Sequence, residues 1–357
     1  MRIAVLGAGN GGQALAGYLS SKGFSVALYN RSEKRIKRVK VNGGINLSGL
    51  FKGFAGLEII TTDIKKAIED VDLIMVVLPA QAHRFIAKTC APHLSDEQII
   101  VLNPGRTGGA LEFRNILKKN EVKERIYLAE AQSFLFVSRV IGSKVKVLGV
   151  KNSVPVAALP SSYTKKVINE LKNLHESFKE AKNVLETSLN NIGAIFHPST
   201  MIFNIGRIES KERFNYYFEG ITPQIADFLE RVDNERREIA HELDVKALSA
   251  SDWLREVYNA NGDSLYELIQ DTEKYEGIGS PEFLKHRYIF EDIPTGLIPM
   301  ASLGKLLGVQ TPLINSVIGI ASQFYRVDFM KKGRTVESLG LEGKNKQQII
   351  DYVNGGE

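Results

Sequence analysis

Arg2–Leu6 (RIAVL) is a short apolar run that leads without a break into Gly7-Ala8-Gly9-Asn10-Gly11-Gly12. Gly7, Gly9 and Gly12 fit the spacing G-x-G-x-x-G, and the next residues have helical periodicity. A strand, a glycine turn and a helix in this order form the dinucleotide-binding unit of a Rossmann fold. Each glycine has its own reason. Gly7 permits the tight turn, Gly9 lets a pyrophosphate approach the backbone, and Gly12 lets the helix pack on the strand. The helix start then offers unpaired N–H groups and a partial positive charge to phosphates. Ala8, Asn10 and Gly11 complete the loop.

The first half continues the rhythm. Residues 25–29, 73–78 and 99–103 are short apolar runs of the kind that form buried parallel strands. Gln13–Lys22, Glu33–Val41 and Gln81–Leu94 between them read as helices. The prediction is an α/β domain with a doubly wound, mainly parallel sheet. Residues 43–57 are glycine-rich and are expected to form a hairpin away from the main sheet. Residues 126–129, 144–150 and 154–159 are expected to extend the sheet itself. After Pro160 the texture changes. Tyr163–Glu180 reads as a charged amphipathic helix, and most of 186–325 has helical periodicity. The expected division is a Rossmann domain over 1–180 and an all-α domain over 181–357, with a polar tail after Gly333 and a last helix at Lys346–Val353.

Bulk properties exclude several classes. The 357 residues are 43 % hydrophobic and 24 % charged, as in an ordinary globular enzyme of two domains. A net charge of +5 is too small to imply nucleic acid and suits anionic small molecules. Cys90 is the single cysteine, so no intrachain disulfide can form and a reducing, cytoplasmic setting is expected. No membrane partner is expected, because no apolar run approaches the length that spans a bilayer. No histidine pair or carboxylate cluster has metal-ligand spacing, so no metal is predicted.

The end of the second strand bears on the cofactor. An NAD-specific site places Asp or Glu there to bind the ribose hydroxyls. This chain has Asn30-Arg31-Ser32. Asn30 does not repel a 2′-phosphate, Arg31 can pair with one, and Ser32 adds a hydroxyl donor. NADP is therefore expected ahead of NAD. Lys34, Arg35, Lys37, Arg38 and Lys40 read chiefly as a solvated helix face. Leu78-Pro79-Ala80 and Asn103-Pro104-Gly105 close two further strands at the carboxyl edge, where such sheets bind ligands, and are assigned to the cofactor trench.

Further strings occur in a fixed order. They are Gly7–Gly12, Leu78-Pro79-Ala80 with His83, Asn103–Gly109, and Glu130-Ala131-Gln132-Ser133 with Arg139. Val154-Pro155 before Ala157–Pro160, Asn190-Asn191 with His197-Pro198, and Arg287 with Asp292-Ile293-Pro294 follow. Jointly they make the chain, from Met1 to about Thr311, resemble the octopine/nopaline (opine) dehydrogenase family. The resemblance implies a Rossmann domain and a helical domain with the site in a cleft between them. It implies reductive joining of an amino acid to a 2-oxo acid, with pyruvate the expected oxo acid, through an imine that takes a hydride from the nicotinamide.

That chemistry needs a proton shuttle, and histidine suits it near neutral pH. Of six histidines, His175 and His241 lie among charged residues and read as solvated, and His93 sits in a loop beside Pro92. His197 ends the apolar run Ile192–Phe196. By itself it reads as a core histidine, and the family match makes it the acid/base. Asp292 is the family's dyad partner, although an aspartate before a nearby proline is also an ordinary turn residue. Arg287 matches the family's carboxylate clamp. Asn191, with His197 and Arg287, is assigned to substrate. Glu130 and Arg106 are weaker candidates for ligand contact. Tyr216, Tyr217, Trp253 and Tyr258 either shape a pocket or fill the core. Leu313–Phe324 serves either the core or a homodimer interface. Two alternatives are carried: a glycerol-3-phosphate or ketopantoate-type reductase, which would use a lysine and one substrate, and a non-catalytic NADP sensor.

Overall fold

The computed structural model describes residues 1–141 and 144–355. Its chain divides into two compact units, Met1–Thr187 with Asp351–Glu357, and Ser188–Ile350.

The first unit is built on strands β1 (Arg2–Leu6), β2 (Ser25–Tyr29), β3 (Gly44–Gly49), β4 (Gly53–Gly56), β5 (Ile59–Thr61) and β6 (Leu73–Val76). The series continues with β7 (Ile99–Leu102), β8 (Tyr127–Ala131), β9 (Phe136–Ile141), β10 (Lys144–Val150), β11 (Val154–Leu159) and β12 (Phe178–Glu180). Eight of them form one sheet in the order β12-β11-β8-β7-β6-β1-β2-β5. Every pairing in it is parallel except that of β11 with β8. The central strands β1, β6 and β7 are apolar at almost every position because helices cover both faces. The chain reverses direction of winding at β1, between β2 and β6, and the glycine turn lies at that switch point.

The hairpin over 43–57 forms as expected, with β3 antiparallel to β4. Residues 144–150 do not extend the main sheet. They pair parallel with β3 and antiparallel with β9, giving a second sheet of order β4-β3-β10-β9. The alternating burial of β10, with Val145 and Val147 in and Lys144 and Lys146 out, explains this. A strand covered on both faces would be apolar throughout, whereas this one has a single buried face.

The helix α1 (Asn10–Ser21) packs against β1 and β2 on one side and β3, β4 and β9 on the other. A helix enclosed in this way must be thin and apolar all round. Its residues Gly12, Ala14, Leu15, Ala16, Gly17, Tyr18 and Leu19 are all buried. A side chain at Gly17 would start 2.9 Å from Leu47 and 3.1 Å from Ile45. The predicted helix over Tyr163–Glu180 is shorter, Thr164–Leu174, and the chain then turns into the edge strand β12. The last helix, Lys346–Asn354, brings Asn354 back to this unit, where its side-chain oxygen accepts from Ser161 at 3.2 Å and from Asn183 at 3.1 Å.

The second unit is helical, and among its described residues the one extended pairing is the isolated bridge Asn215–Gly279. Its frame is the long helix Pro223–Glu242, which packs against Gly193–Phe203, Ile298–Leu307 and Pro312–Tyr325. Buried Arg236 on this helix pairs with Asp233 and donates to the carbonyls of Leu189 and Leu248. Asp233 accepts from the Ala250 N–H at 2.8 Å. Asn190 adds bonds to the Leu248 N–H and the Lys246 carbonyl. These contacts fix the segment that leads into the helix carrying His197. Removing one partner of such a buried pair costs about 3–5 kcal/mol.

Candidate active site

The glycine turn is held open by sterics. Gly7 has φ +121°, and a Cβ on it would lie 2.2 Å from the Val77 carbonyl oxygen and 2.9 Å from Leu78. A Cβ on Gly12 would lie 1.7 Å from the Gly7 carbonyl oxygen. Gly9 differs, because nothing lies within 4 Å of its Cβ direction. That open space in front of the helix start is where a phosphate fits. The α1 N-terminus has neither a side-chain cap nor an acidic residue in its first turn, which leaves its N–H groups to an anion.

Neighbouring strands lock the loop. The Gly7 N–H donates to Tyr29 at 2.8 Å, and the Ala8 N–H donates to the Asn30 side-chain oxygen at 3.2 Å. The Asn30 amide donates to the Ser32 carbonyl at 3.0 Å. Asn10 accepts from the Val140 N–H at 3.0 Å, and Phe134 packs over Gly11. Asn30 thus ties the loop to the end of β2 where an NAD-specific site would carry a carboxylate. A cavity of about 750 Å³ opens beside it, lined by Gly9, Asn10, Ser32, Lys34, Arg35 and Arg38. Arg31 is exposed and lies 5.1 Å above the Phe85 ring, a cation-π contact. These groups fit the pyrophosphate and adenosine ends of a dinucleotide.

The other strand ends contribute less directly. Leu78 packs on Gly7, Pro79 is exposed and Ala80 is buried. Asn103 is buried and donates to the Val101 carbonyl at 2.9 Å, so its amide holds the turn into Pro104. A Cβ on Gly105 would meet the Glu130 carboxylate at 2.3 Å. Glu130 itself is fully buried and accepts from the Ala110 N–H and the Thr187 hydroxyl, each at 2.7 Å. It stitches the chain together.

In the second unit, His197 lies on the helix Gly193–Phe203, which is buried on nearly every other side. Opposite it runs the π-helical turn Ile293–Leu297, begun by Asp292. Such turns are rare and concentrate at functional positions. A Cβ on Gly296 would lie 2.5 Å from the Ala194 Cβ, so only glycine lets turn and helix approach this closely. The approach sets His197 Nδ1 2.8 Å from Asp292 Oδ2. The imidazole keeps 12 % of its side-chain surface exposed and the carboxylate 1 %. Asn191 lies just ahead of this helix, its amide nitrogen 3.5 Å from the same Gly296 Cβ direction.

Three tyrosines complete the surroundings of His197. Tyr217 Oη lies 3.0 Å from Nε2, Tyr216 donates to the His197 carbonyl at 2.7 Å, and Tyr288 stacks on the imidazole at 4.0 Å and 19°. Tyr216 and Tyr217 were legible only as pocket or core candidates, and Tyr288 carried no signal beyond its place beside Arg287. Arg287 is exposed, with its guanidinium 5.6 Å from the Tyr288 ring. His286 packs edge-on against Tyr288 at 4.3 Å. Burial, then Arg287 and His197, push its pKa down to about 4, so it stays neutral at neutral pH.

His175 is not the solvated residue expected. It is half-buried against Tyr18 and Phe136, accepts from the Ser177 N–H, and burial lowers its pKa. Among the described residues, no group of three or more potential ligands could hold a metal ion, and no helix is long and apolar enough to cross a membrane.

Comparison with known proteins places both units. Residues 180–325 match the family model described as NAD/NADP octopine/nopaline dehydrogenase, alpha-helical domain. Residues 2–106 match that of the NAD-dependent glycerol-3-phosphate dehydrogenase N-terminus. The chain is 41 % identical to an opine dehydrogenase of Arthrobacter sp. (strain 1C) over 354 residues, 98 % of each chain. It is 26 % identical to the octopine dehydrogenase of Pecten maximus, covering 100 % of this chain and 99 % of the relative. Its fold matches a solved octopine dehydrogenase with NADH and L-arginine at a TM-score of 0.84, with 23 % identity over 100 % of this chain and 98 % of that one. On the strength of the full-length identity, this chain belongs to the opine dehydrogenase family of nicotinamide-dependent oxidoreductases.

Proposed function

We propose that this chain joins the amine of an amino acid to the carbonyl carbon of a 2-oxo acid, with pyruvate the first choice of oxo acid, and that His197 and Asp292 are its acid/base pair. The observation that carries the assignment is the 2.8 Å contact between a partly accessible imidazole and a fully enclosed carboxylate. Asp292 accepts the Nδ1 hydrogen and stabilises the imidazolium whenever Nε2 takes a proton. His197 removes a proton from the attacking amine and returns one to the departing oxygen as water leaves and the imine forms. Arg287 is an exposed guanidinium one residue from the tyrosine stacked on His197, and it supplies the fork that binds the oxo-acid carboxylate. Asn191 holds substrate by its amide.

The bound dinucleotide supplies the hydride that reduces the imine. Gly7–Gly12 would hold its pyrophosphate, and Asn30, Arg31 and Ser32 its adenosine ribose. NADP is preferred over NAD on this reading. Asn30 is neutral and engaged with the loop, and the adjoining cavity is lined by Lys34, Arg35 and Arg38. Octopine dehydrogenase, similar in fold, has been solved with NADH and L-arginine and with NADH and pyruvate, which supports the substrate classes rather than the choice of cofactor. The setting is cytoplasmic, and a homodimer is the expected assembly.

A matrix of amino acids against 2-oxo acids, with NADPH and NADH oxidation followed optically, tests the assignment. Turnover is expected only with both organic substrates present, and faster with NADPH. Turnover of a single oxo acid or keto alcohol without an amine would instead support a ketopantoate-type reductase, and cofactor binding without any turnover a sensor.

A further inference from the structure

The Tyr217 hydroxyl lies 3.0 Å from Nε2 of His197, the nitrogen opposite the one bonded to Asp292. The ends of the network give each bond its direction. A carboxylate only accepts, so Nδ1 carries the hydrogen, and Nε2 of the neutral ring is an acceptor. Tyr217 therefore donates to it. Donation thus runs from Tyr217 to His197 and from His197 to Asp292 while the imidazole is neutral.

The Tyr217 ring has little freedom to leave. It is 6 % exposed, stacks on Tyr275 at 3.9 Å and 12°, and meets Tyr216 edge-on at 5.3 Å. Burial also raises its pKa well above the usual phenol range, so the hydroxyl keeps its hydrogen. A hydroxyl both gives and accepts, and rotation about one bond exchanges the roles. It can satisfy Nε2 in either protonation state, which a hydrocarbon in the same place cannot.

We propose that Tyr217 is a positioning residue of the acid/base pair: its hydroxyl holds His197 in the Nδ1–H tautomer, and turns to accept from Nε2 once the ring has taken a proton. The role in turnover rests on the function assigned to His197 above. The placement of the tautomer does not.

Tyr217→Phe keeps the stack on Tyr275 and removes only the hydroxyl. Nitrogen-15 NMR of the histidine side chains in the free protein, with His197 assigned by its loss in His197→Gln, needs no substrate. The wild type is expected to show the Nδ1–H tautomer with its Nε2 resonance moved upfield by the accepted bond, and Tyr217→Phe to move it downfield. An Nε2–H tautomer in the wild type, or an Nε2 resonance indifferent to the change, overturns the proposal. Should the phenylalanine variant not fold, 3-fluorotyrosine at position 217, a stronger donor, must move the resonance further upfield, and its failure to do so overturns the proposal equally. In turnover, Tyr217→Phe should lower kcat roughly tenfold, the size of one neutral hydrogen bond, with KM for the amino acid unchanged, and 3-fluorotyrosine should restore it. Loss of kcat that 3-fluorotyrosine does not restore refutes the role. A wild type that shows the NMR contrast yet fails to couple amine and oxo acid sinks the proposed function and leaves the tautomer assignment standing.

Discussion

Asp292→Asn is the sharpest perturbation of the assigned chemistry. The amide matches the carboxylate in shape, so the packing of the Ile293–Leu297 turn on the His197 helix is kept, and stability should change by no more than about 1 kcal/mol. What is lost is charge. Two unit charges about 4 Å apart interact by about 4 kcal/mol at an effective dielectric constant of about 20, and this bounds the effect from above. The asparagine oxygen still accepts from Nδ1. The net loss is then the difference between a charged hydrogen bond, about 1.5–3 kcal/mol, and a neutral one of about 1 kcal/mol. That difference corresponds to a fall in kcat of roughly 2- to 30-fold. The amide can also rotate and offer its N–H to the ring, which would impose the wrong tautomer and deepen the loss. Steady-state oxidation of NADPH with saturating amino acid and oxo acid measures it, with cofactor affinity followed separately by fluorescence and expected to hold. A variant with wild-type kcat would show that Asp292 is only a turn residue ahead of Pro294.

Gly9→Ala and Gly12→Ala should separate binding from folding. The first places a methyl in open space and should raise the Kd for NADPH while leaving Tm in place, and the second drives Cβ into the Gly7 carbonyl and should cost about 3 kcal/mol or more. Equal Tm values for the two would contradict the geometry of the turn. Asn30→Asp keeps an acceptor for the Ala8 N–H but sets a negative charge beside the cofactor ribose, so kcat/KM with NADPH should fall about tenfold relative to NADH. An unchanged ratio would remove Asn30 from the discrimination. His286 has a folded pKa of about 4 against an ordinary 6.5. The unfolded chain therefore binds more protons between these values, and stability is full above pH 6.5 and declines as pH falls toward 4. Thermal melts of His286→Asn, which can still cap Tyr288, should show a shallower decline over this window. A decline as steep as in the wild type would mean that other groups set the acid limb.

The glycine turn was legible because its geometry is local. Six residues that must bend sharply and leave room for a phosphate can be recognised wherever they follow a strand. The alternation of apolar runs and amphipathic helices was legible for a similar reason, since burial on two faces leaves a run with no polar position. His197 and Asp292 were legible only through likeness to a family. Nothing in spacing alone joins two residues 95 positions apart, and each by itself reads as an ordinary core or turn residue.

Other features depended on which surfaces met. The β10 run has an unremarkable alternation that suits any half-buried strand, and its partner β3 lies about 100 residues earlier. Glu130 stood out in the sequence only as part of a family string, and Ala110 and Thr187 had to be folded against it before its structural use could be seen. Tyr217 is one of twelve tyrosines, and no periodicity distinguishes it from the rest. Its meeting with Nε2 depends on an irregular stretch, 210–222, whose path is set by packing and not by local preference. Short-range sterics and hydrophobic periodicity act within a few residues and leave a trace in the order of amino acids. Hydrogen bonds between distant side chains leave none, because their partners are chosen only when helices and turns close on one another.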